Sequence, residues 1–172
     1  MKLYVVNGSG NCRKVQATIG QLGLNVDIEY LDFFAGDLNT PEFLGLNPNG
    51  RVPTLTDGDY RLWESNAIMQ YLANKVPGNP LFPQDQRTRA DIVRWQCWEL
   101  AHYNNAFAML AVETVLKPQF MQAEPDPPIV AYAQDALGQF ATILDGHLAR
   151  RDFMVGDAVS VADYSTVNME GF

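Results

Sequence analysis

The chain has 172 residues, 47% of them hydrophobic and 11% aromatic, enough for one large domain or two small ones with real cores. Its 12 basic and 20 acidic side chains leave a net charge of −8, which argues against nucleic acid or an anionic membrane as a partner. The 2 cysteines make neither a disulfide framework nor a metal-ligand cluster, and the apolar runs are too short for a signal peptide or a membrane helix, so no metal is expected and a cytoplasmic location is.

Residues 2–6 form a β-branched run that predicts a first strand. Asn7-Gly8-Ser9-Gly10-Asn11 is a turn-rich loop. A helix follows over 12–22, with Val15, Ile19 and Leu22 on one face and Gly23 as its stop. Residues 26–34 read as a second strand, so the strand–helix–strand order implies a parallel crossover. Thr40-Pro41-Glu42 starts a short helix with proline at its first position, and Asn47-Pro48 ends it.

The stretch 47–72 carries the strongest signal. Asn47-Pro48-Asn49-Gly50 is a turn, and Arg51-Val52-Pro53 leads into a strand over 54–56. Asp57-Gly58 is a two-residue hairpin signal and 60–63 is the return strand. Glu64-Ser65 then opens a helix bearing Ala67, Ile68, Tyr71 and Leu72. Two features here have a bland and a functional reading. Pro53 is either a strand-start proline or a cis-proline, accessible for about 0.5–1 kcal/mol, that turns the Val52 N–H and C=O outward toward an extended peptide. Ser65 is either an ordinary N-cap or part of a helix start that seats a carboxylate, with Glu64 beside it to hold an ammonium group. In this order and spacing, a small peptide ligand with an α-amino acid end satisfies both functional readings.

Residues 76–83 hold three prolines and read as an interdomain linker. Beyond it the β signal fades. A long helix is expected from Asp85 to about Leu116, with apolar or aromatic positions at Ile92, Trp95, Leu100, Tyr103, Phe107 and Leu110 and a stop or kink at Lys117-Pro118. A Pro-rich loop at 124–128 precedes a helix to about Ala149 that turns Ile129, Ala133, Leu137, Phe140 and Leu144 inward. Ser160 and Asp163 have capping-box spacing, with Asp in place of the usual Glu, and Asp163 reads as a folding residue.

The run NPNGRVPTL followed by WESNAIMQYLA resembles the glutathione-site half of the cytosolic glutathione S-transferase family, and the resemblance extends from Lys2 to about Asp163. It implies an α/β thioredoxin-like N-terminal domain at 1–76, a linker at 77–84 and an all-α C-terminal helical domain at 85–172 whose last helices are missing. It implies a glutathione pocket in which Val52, before cis-Pro53, pairs with the cysteinyl backbone, Glu64 and Ser65 hold the γ-glutamyl end, and Arg51 meets the glycine carboxylate. The segment Asp37-Leu38-Asn39 offers none of the cations that some members place there. A small hydrophobic electrophile would lie between the domains against the long helix, where His102, Tyr103, Asn104 and Phe107 are candidate walls and His102 is either a proton donor or structural. A homodimer is implied as well.

Glutathione chemistry needs a thiolate. Lowering a thiol pKa from near 8.5 by about 2 units takes roughly 2.7 kcal/mol. A helix N-terminus supplies about 0.3–1 kcal/mol, up to ~2 when partly buried. A hydrogen bond to the charged sulfur adds about 1.5–3 kcal/mol. The two together suffice, which points to the start of the first helix with a donor aimed at the sulfur. Ser9, three residues before Cys12-Arg13, resembles the serine of the S-x-x-C-R pattern in theta- and delta-like members. Asn11 resembles the second donor of the bacterial nu-like members, and a plain turn role for both stays open. Arg13, Lys14 and Arg51 suit a small anion or are ordinary surface charges. Cys12 is either a core residue or an acidified, glutaredoxin-like nucleophile, and Cys97 reads as packing. The leading expectation is a glutathione S-transferase-like enzyme. Its rivals are a glutathione-dependent disulfide or peroxide reductase and a non-catalytic interaction module of the same fold.

Overall fold

A computed structural model describes residues 1–167, and the chain divides into two compact units after Gln84. In the first unit β1 (Lys2–Val5) leads to α1 (Gly10–Leu22), β2 (Asp27–Tyr30), α2 (Pro41–Leu44), the hairpin β3 (Thr54–Asp57) and β4 (Tyr60–Trp63), and α3 (Ser65–Asn74). The sheet order is β2-β1-β3-β4. β1 pairs in parallel with β2 from Lys2↔Asp27 to Val5↔Tyr30, and antiparallel with β3 through Leu3↔Leu55. This is the mixed four-stranded sheet of the thioredoxin-like fold.

Strand alternation sorts the two faces. Leu3, Val5 and Leu55 are fully buried with Val15 of α1 and Ile68, Met69 and Leu72 of α3. Full burial of such side chains stabilises by about 1.5–3 kcal/mol each. On the opposite face Tyr4 meets Phe43 of α2 edge-on, with ring centroids 6.0 Å apart. Gly23 closes α1 in the left-handed conformation at φ 62°, as its place after Leu22 predicts.

The second strand is shorter than its apolar run. It ends at Tyr30 because Asp32 folds the chain into a turn, its Oδ1 accepting the N–H groups of Phe34 (2.8 Å) and Ala35 (3.0 Å). Phe33 and Phe34 are left 61% and 73% exposed. The Pro-rich stretch is packed: Leu81 and Phe82 are buried, and the Asn79 amide donates to the carbonyls of Ala73 and Val76 while accepting from the Leu81 N–H.

The second unit is helical. α4 (Gln86–Trp98) runs into a π-helical stretch, Glu99–Tyr103, then α5 (Asn104–Ala111) and a second π-helical stretch, Val112–Met121. The helical path therefore continues through Pro118 and ends at Gln122, which is left-handed at φ 51°. In a π-helix the carbonyl that a residue's N–H would reach is one position further back. Pro118 lacks that N–H in either register, yet the path passes through it, so of the stop or kink expected at Lys117-Pro118 the stop is not taken. α6 (Pro127–Leu148) buries Ala133 fully and half-buries Leu137, Phe140 and Leu144, but Ile129 at its first turn is exposed. α7 (Val161–Thr166) opens with the capping box expected at Ser160 and Asp163. The continuation of this helix toward Phe172 lies outside the described residues. No described helix is long and apolar enough to cross a membrane.

Candidate functional site

The first helix begins at Ser9. Its hydroxyl oxygen accepts from the Cys12 N–H at 3.3 Å and its carbonyl accepts from the Arg13 N–H at 3.0 Å. An N-cap hydroxyl that accepts still keeps its own O–H to donate. The first turn of α1 contains no acid, so nothing there opposes the positive end of the helix dipole. Lys14, read from sequence with Arg13 and Arg51 as an accessible cation, is instead buried at 2% exposure, while Arg13 and Arg51 are exposed.

Asn11 and Ser65 come together. The Ser65 hydroxyl donates to Asn11 Oδ1 at 3.3 Å across 54 residues of sequence, joining the starts of α1 and α3. α3 begins differently from expectation. Glu64 is the N-cap, its carbonyl accepting from the Ile68 N–H at 3.0 Å, and Ser65 is the first helical residue, 7% exposed. The Glu64 side chain makes no capping bond and its backbone sits at φ 71°, ψ 110°. A non-glycine residue in that region costs on the order of 1–3 kcal/mol, and such strain gathers where function requires it. Glu64 is exposed.

The loop before β3 supplies the third part. The Val52-Pro53 bond is cis, Pro53 is buried and Val52 half-buried. Among the described residues neither the N–H nor the C=O of Val52 has a backbone partner. A residue that the sequence shows only as part of a turn holds this loop in place. Asn47, 2% exposed, donates through Nδ2 to the Arg51 carbonyl (2.7 Å) and to Thr54 Oγ1 (3.1 Å), and its Oδ1 accepts from the Asn49 N–H (3.0 Å). A buried asparagine satisfied on both ends of its amide is a strong positioning device. Its only sequence signal is an Asn three residues before the Gly-Arg step, which turn chemistry alone already explains.

Cys12 is 1% exposed and burial pushes its thiol pKa up, the neighbouring polar groups of Ser9 and Val6 offsetting this only in part. That is the setting of a core thiol, the reverse of the acidified nucleophile. Cys97, expected to be packing, is exposed on α4.

In the second unit, Tyr103 stacks on Trp98 with centroids 5.8 Å apart and an interplanar angle of 12°. Exposed His102 lies 5.3 Å from the ring of Phe140, and Phe107 is half-buried. His102 and Tyr103 fall in the first π-helical stretch, a local geometry often found where a helix serves a site. Among the described residues no His, Cys, Asp and Glu cluster could hold a metal ion. A shallow hollow of about 480 Å³ lies elsewhere in the first unit, lined by Tyr4, Leu31, Asp37, Phe43 and Leu46 among others, and contains none of the candidate catalytic or glutathione-binding residues.

Residues 1–74 match the family model described as glutathione S-transferase, N-terminal domain. The chain is 32% identical over 167 residues to a rice (Oryza sativa subsp. japonica) protein named probable glutathione S-transferase GSTF2, covering 97% of this chain and 78% of that protein. Among solved structures, glutathione transferase F7 from Populus trichocarpa superposes with a TM-score of 0.88 at 29% identity, covering 98% of this chain and 80% of the other. The theta class glutathione S-transferase from Xanthomonas axonopodis pv. citri, solved with glutathione bound, gives 0.86 at 31% identity, covering 96% and 78%.

Proposed function

The chain belongs to the glutathione S-transferase family, and from that premise we propose that it ionises the thiol of glutathione at the start of α1 for attack on a small hydrophobic electrophile. The observation that carries this reading is the Ser65–Asn11 hydrogen bond. It joins the start of α3, which we assign to the amino-acid end of glutathione, to the start of α1, which we assign to its thiol, and the cis-Pro53 loop offers the unpaired backbone of Val52.

Each group then has one task. The Ser9 O–H donates to the sulfur, and the N-terminus of α1 adds its dipole, favouring the thiolate over the thiol. Asn11, with Oδ1 engaged by Ser65, has its Nδ2 protons left to donate. The N–H and C=O of Val52 pair with the cysteinyl backbone as a strand would, Pro53 fixing their direction. The Glu64 carboxylate takes the γ-glutamyl ammonium, and the Ser65 N–H at the first turn of α3 takes its carboxylate. Arg51 takes the glycine carboxylate. The thiol proton leaves to solvent, and the sulfur forms its bond to the electrophilic carbon as the leaving group departs. Of the second unit, His102, Tyr103 and Phe107 are our nominees for the electrophile's aromatic contacts. The same reading carries a homodimer and a cytoplasmic location.

The buried, acid-weakened thiol of Cys12 speaks against a route through a protein cysteine. Calorimetric titration of the chain with glutathione, repeated on Ser65→Ala, tests the proposal. Saturable binding that weakens about two- to tenfold in the variant is expected, because the variant loses the hydroxyl that ties the start of α3 to Asn11, a neutral hydrogen bond worth about 0.5–1.5 kcal/mol. A folded chain that binds no glutathione would sink the enzymatic reading and favour an interaction module.

A further inference from the structure

The chain holds two Asn-Gly steps, Asn7-Gly8 and Asn49-Gly50, in the loops that lead to the candidate site. Asn followed by Gly is where the next backbone nitrogen most readily reaches the side-chain carbonyl, because glycine has no Cβ in the way and turns freely.

The structure treats the two steps oppositely. At Asn49 the target amide and the attacking nitrogen are both tied. The Asn49 N–H and Nδ2 donate to Asn47 Oδ1 at 3.0 and 2.9 Å, and the Gly50 N–H donates to the Asn47 carbonyl at 3.0 Å. The space is close as well, since a Cβ on Gly50 would stand 3.1 Å from the Leu38 carbonyl. Asn7 and Gly8 are exposed in a turn closed by the Ser9 N–H donating to the Val6 carbonyl at 3.3 Å, with Gly8 at φ 82°. Among the described residues neither the Asn7 amide nor the Gly8 N–H has a hydrogen-bond partner, and a Cβ on Gly8 would meet open space.

We propose that Asn7 is a site of spontaneous deamidation, an ageing mark on the loop that carries Ser9. The Gly8 nitrogen attacks Asn7 Cγ, a C–N bond forms, and the side-chain amide nitrogen leaves as ammonia with the Gly8 proton. Water then opens the five-membered imide at either carbonyl, giving aspartate or isoaspartate. One water is consumed, one ammonia is released, and nothing is oxidised or reduced. A carboxylate thereby appears in the link between β1 and α1, and the isoaspartate branch also lengthens the main chain there by one methylene.

Ageing the folded chain in warm, mildly alkaline buffer, followed by mapping of tryptic peptides 3–13 and 15–51, reads both steps in one sample and needs no ligand. Conversion at Asn7 should outrun that at Asn49 by roughly tenfold or more, the factor set by the hydrogen bonds that must open at Asn49. In denaturant the two rates should converge. Equal rates in the folded chain, or an Asn7 that survives while Asn49 converts, would overturn the proposal. A preference for Asn7 that persists unchanged in denaturant would overturn it too, since the fold would then not be its cause.

Discussion

The Ser65 hydroxyl donates to Asn11 Oδ1 at 3.3 Å, tying the first turn of α3 to the first turn of α1. Neither residue predicts the other from sequence, and the bond makes the two halves of the proposed glutathione site one mechanical unit. Ser65→Ala and Asn11→Ala should therefore be non-additive. A double-mutant cycle on glutathione affinity should give a coupling of about 0.5–1.5 kcal/mol, the net value of one hydrogen bond. Additive effects would mean that the contact does not serve binding.

Ser9 is assigned the thiolate. Ser9→Ala should raise the pKa of bound glutathione, followed by thiolate absorbance, by about 1–2 units. Turnover at neutral pH should fall about 10–100-fold with little change in affinity. The same change removes an N-cap and should cost about 0.5–2 kcal/mol of stability, which Ser9→Thr should largely restore together with the chemistry. An unmoved absorbance curve would transfer the role to Asn11.

Much of this was legible because it is written in local chemistry. Gly23, the Asp57-Gly58 turn, Thr40 before Pro41 and the Ser160–Asp163 box each act within a few residues, so one dimension suffices to read them. What failed was set by neighbours distant in sequence. Periodicity locates the apolar residues of α4 and α6 but not which turn gains a packing partner, so Cys97 and Ile129 lie exposed. Lys14 is polar and yet buried, and Asn47 looks like any turn asparagine until its amide is seen holding Arg51, Thr54 and Asn49.

The positive φ of Glu64 left no trace in the sequence, since glutamate rarely adopts it. The proposed role of its carboxylate implies a trade. Glu64→Gly should stabilise the chain by about 1 kcal/mol, relief of 1–3 kcal/mol of strain less the extra freedom of an unfolded glycine. Glutathione affinity should fall. Glu64→Gln keeps the strain and loses the charge, so it should weaken binding with little change in thermal stability. If Glu64→Gly bound as well as the native chain, the carboxylate would have no part in the site.

The two thiols should separate cleanly. Brief alkylation of the folded chain should modify exposed Cys97 and spare Cys12 until denaturant is added. Burial raises the folded pKa of Cys12 above its unfolded value of about 8.5. The folded state therefore resists losing that proton. The associated stability is complete below the unfolded pKa and is lost as pH rises through the folded one. Cys12→Ala should flatten the alkaline limb of the stability profile. Labelling of Cys12 as fast as Cys97 would place it outside the core and reopen its candidacy as a nucleophile.

Asp163 is the last test of role against position. Its Oδ2 accepts from the N–H and the hydroxyl of Ser160, both at 2.8 Å, and its Oδ1 accepts from the Met154 N–H at 2.7 Å. These bonds fix the start of α7 and the loop before it, where Met154, Ser160, Val161 and Ala162 are all buried. Removing the carboxylate strands two backbone donors away from water, which costs more than the loss of a cap alone. Asp163→Ala should lower the free energy of unfolding by about 2–4 kcal/mol in denaturant titration. Asp163→Asn keeps one acceptor oxygen and should lose roughly half as much. Affinity for glutathione in the fraction still folded should stay unchanged for both, because every contact of this carboxylate lies within the second unit. An affinity loss that tracked the stability loss at a temperature where the chain remains fully folded would mean that Asp163 reaches the site after all.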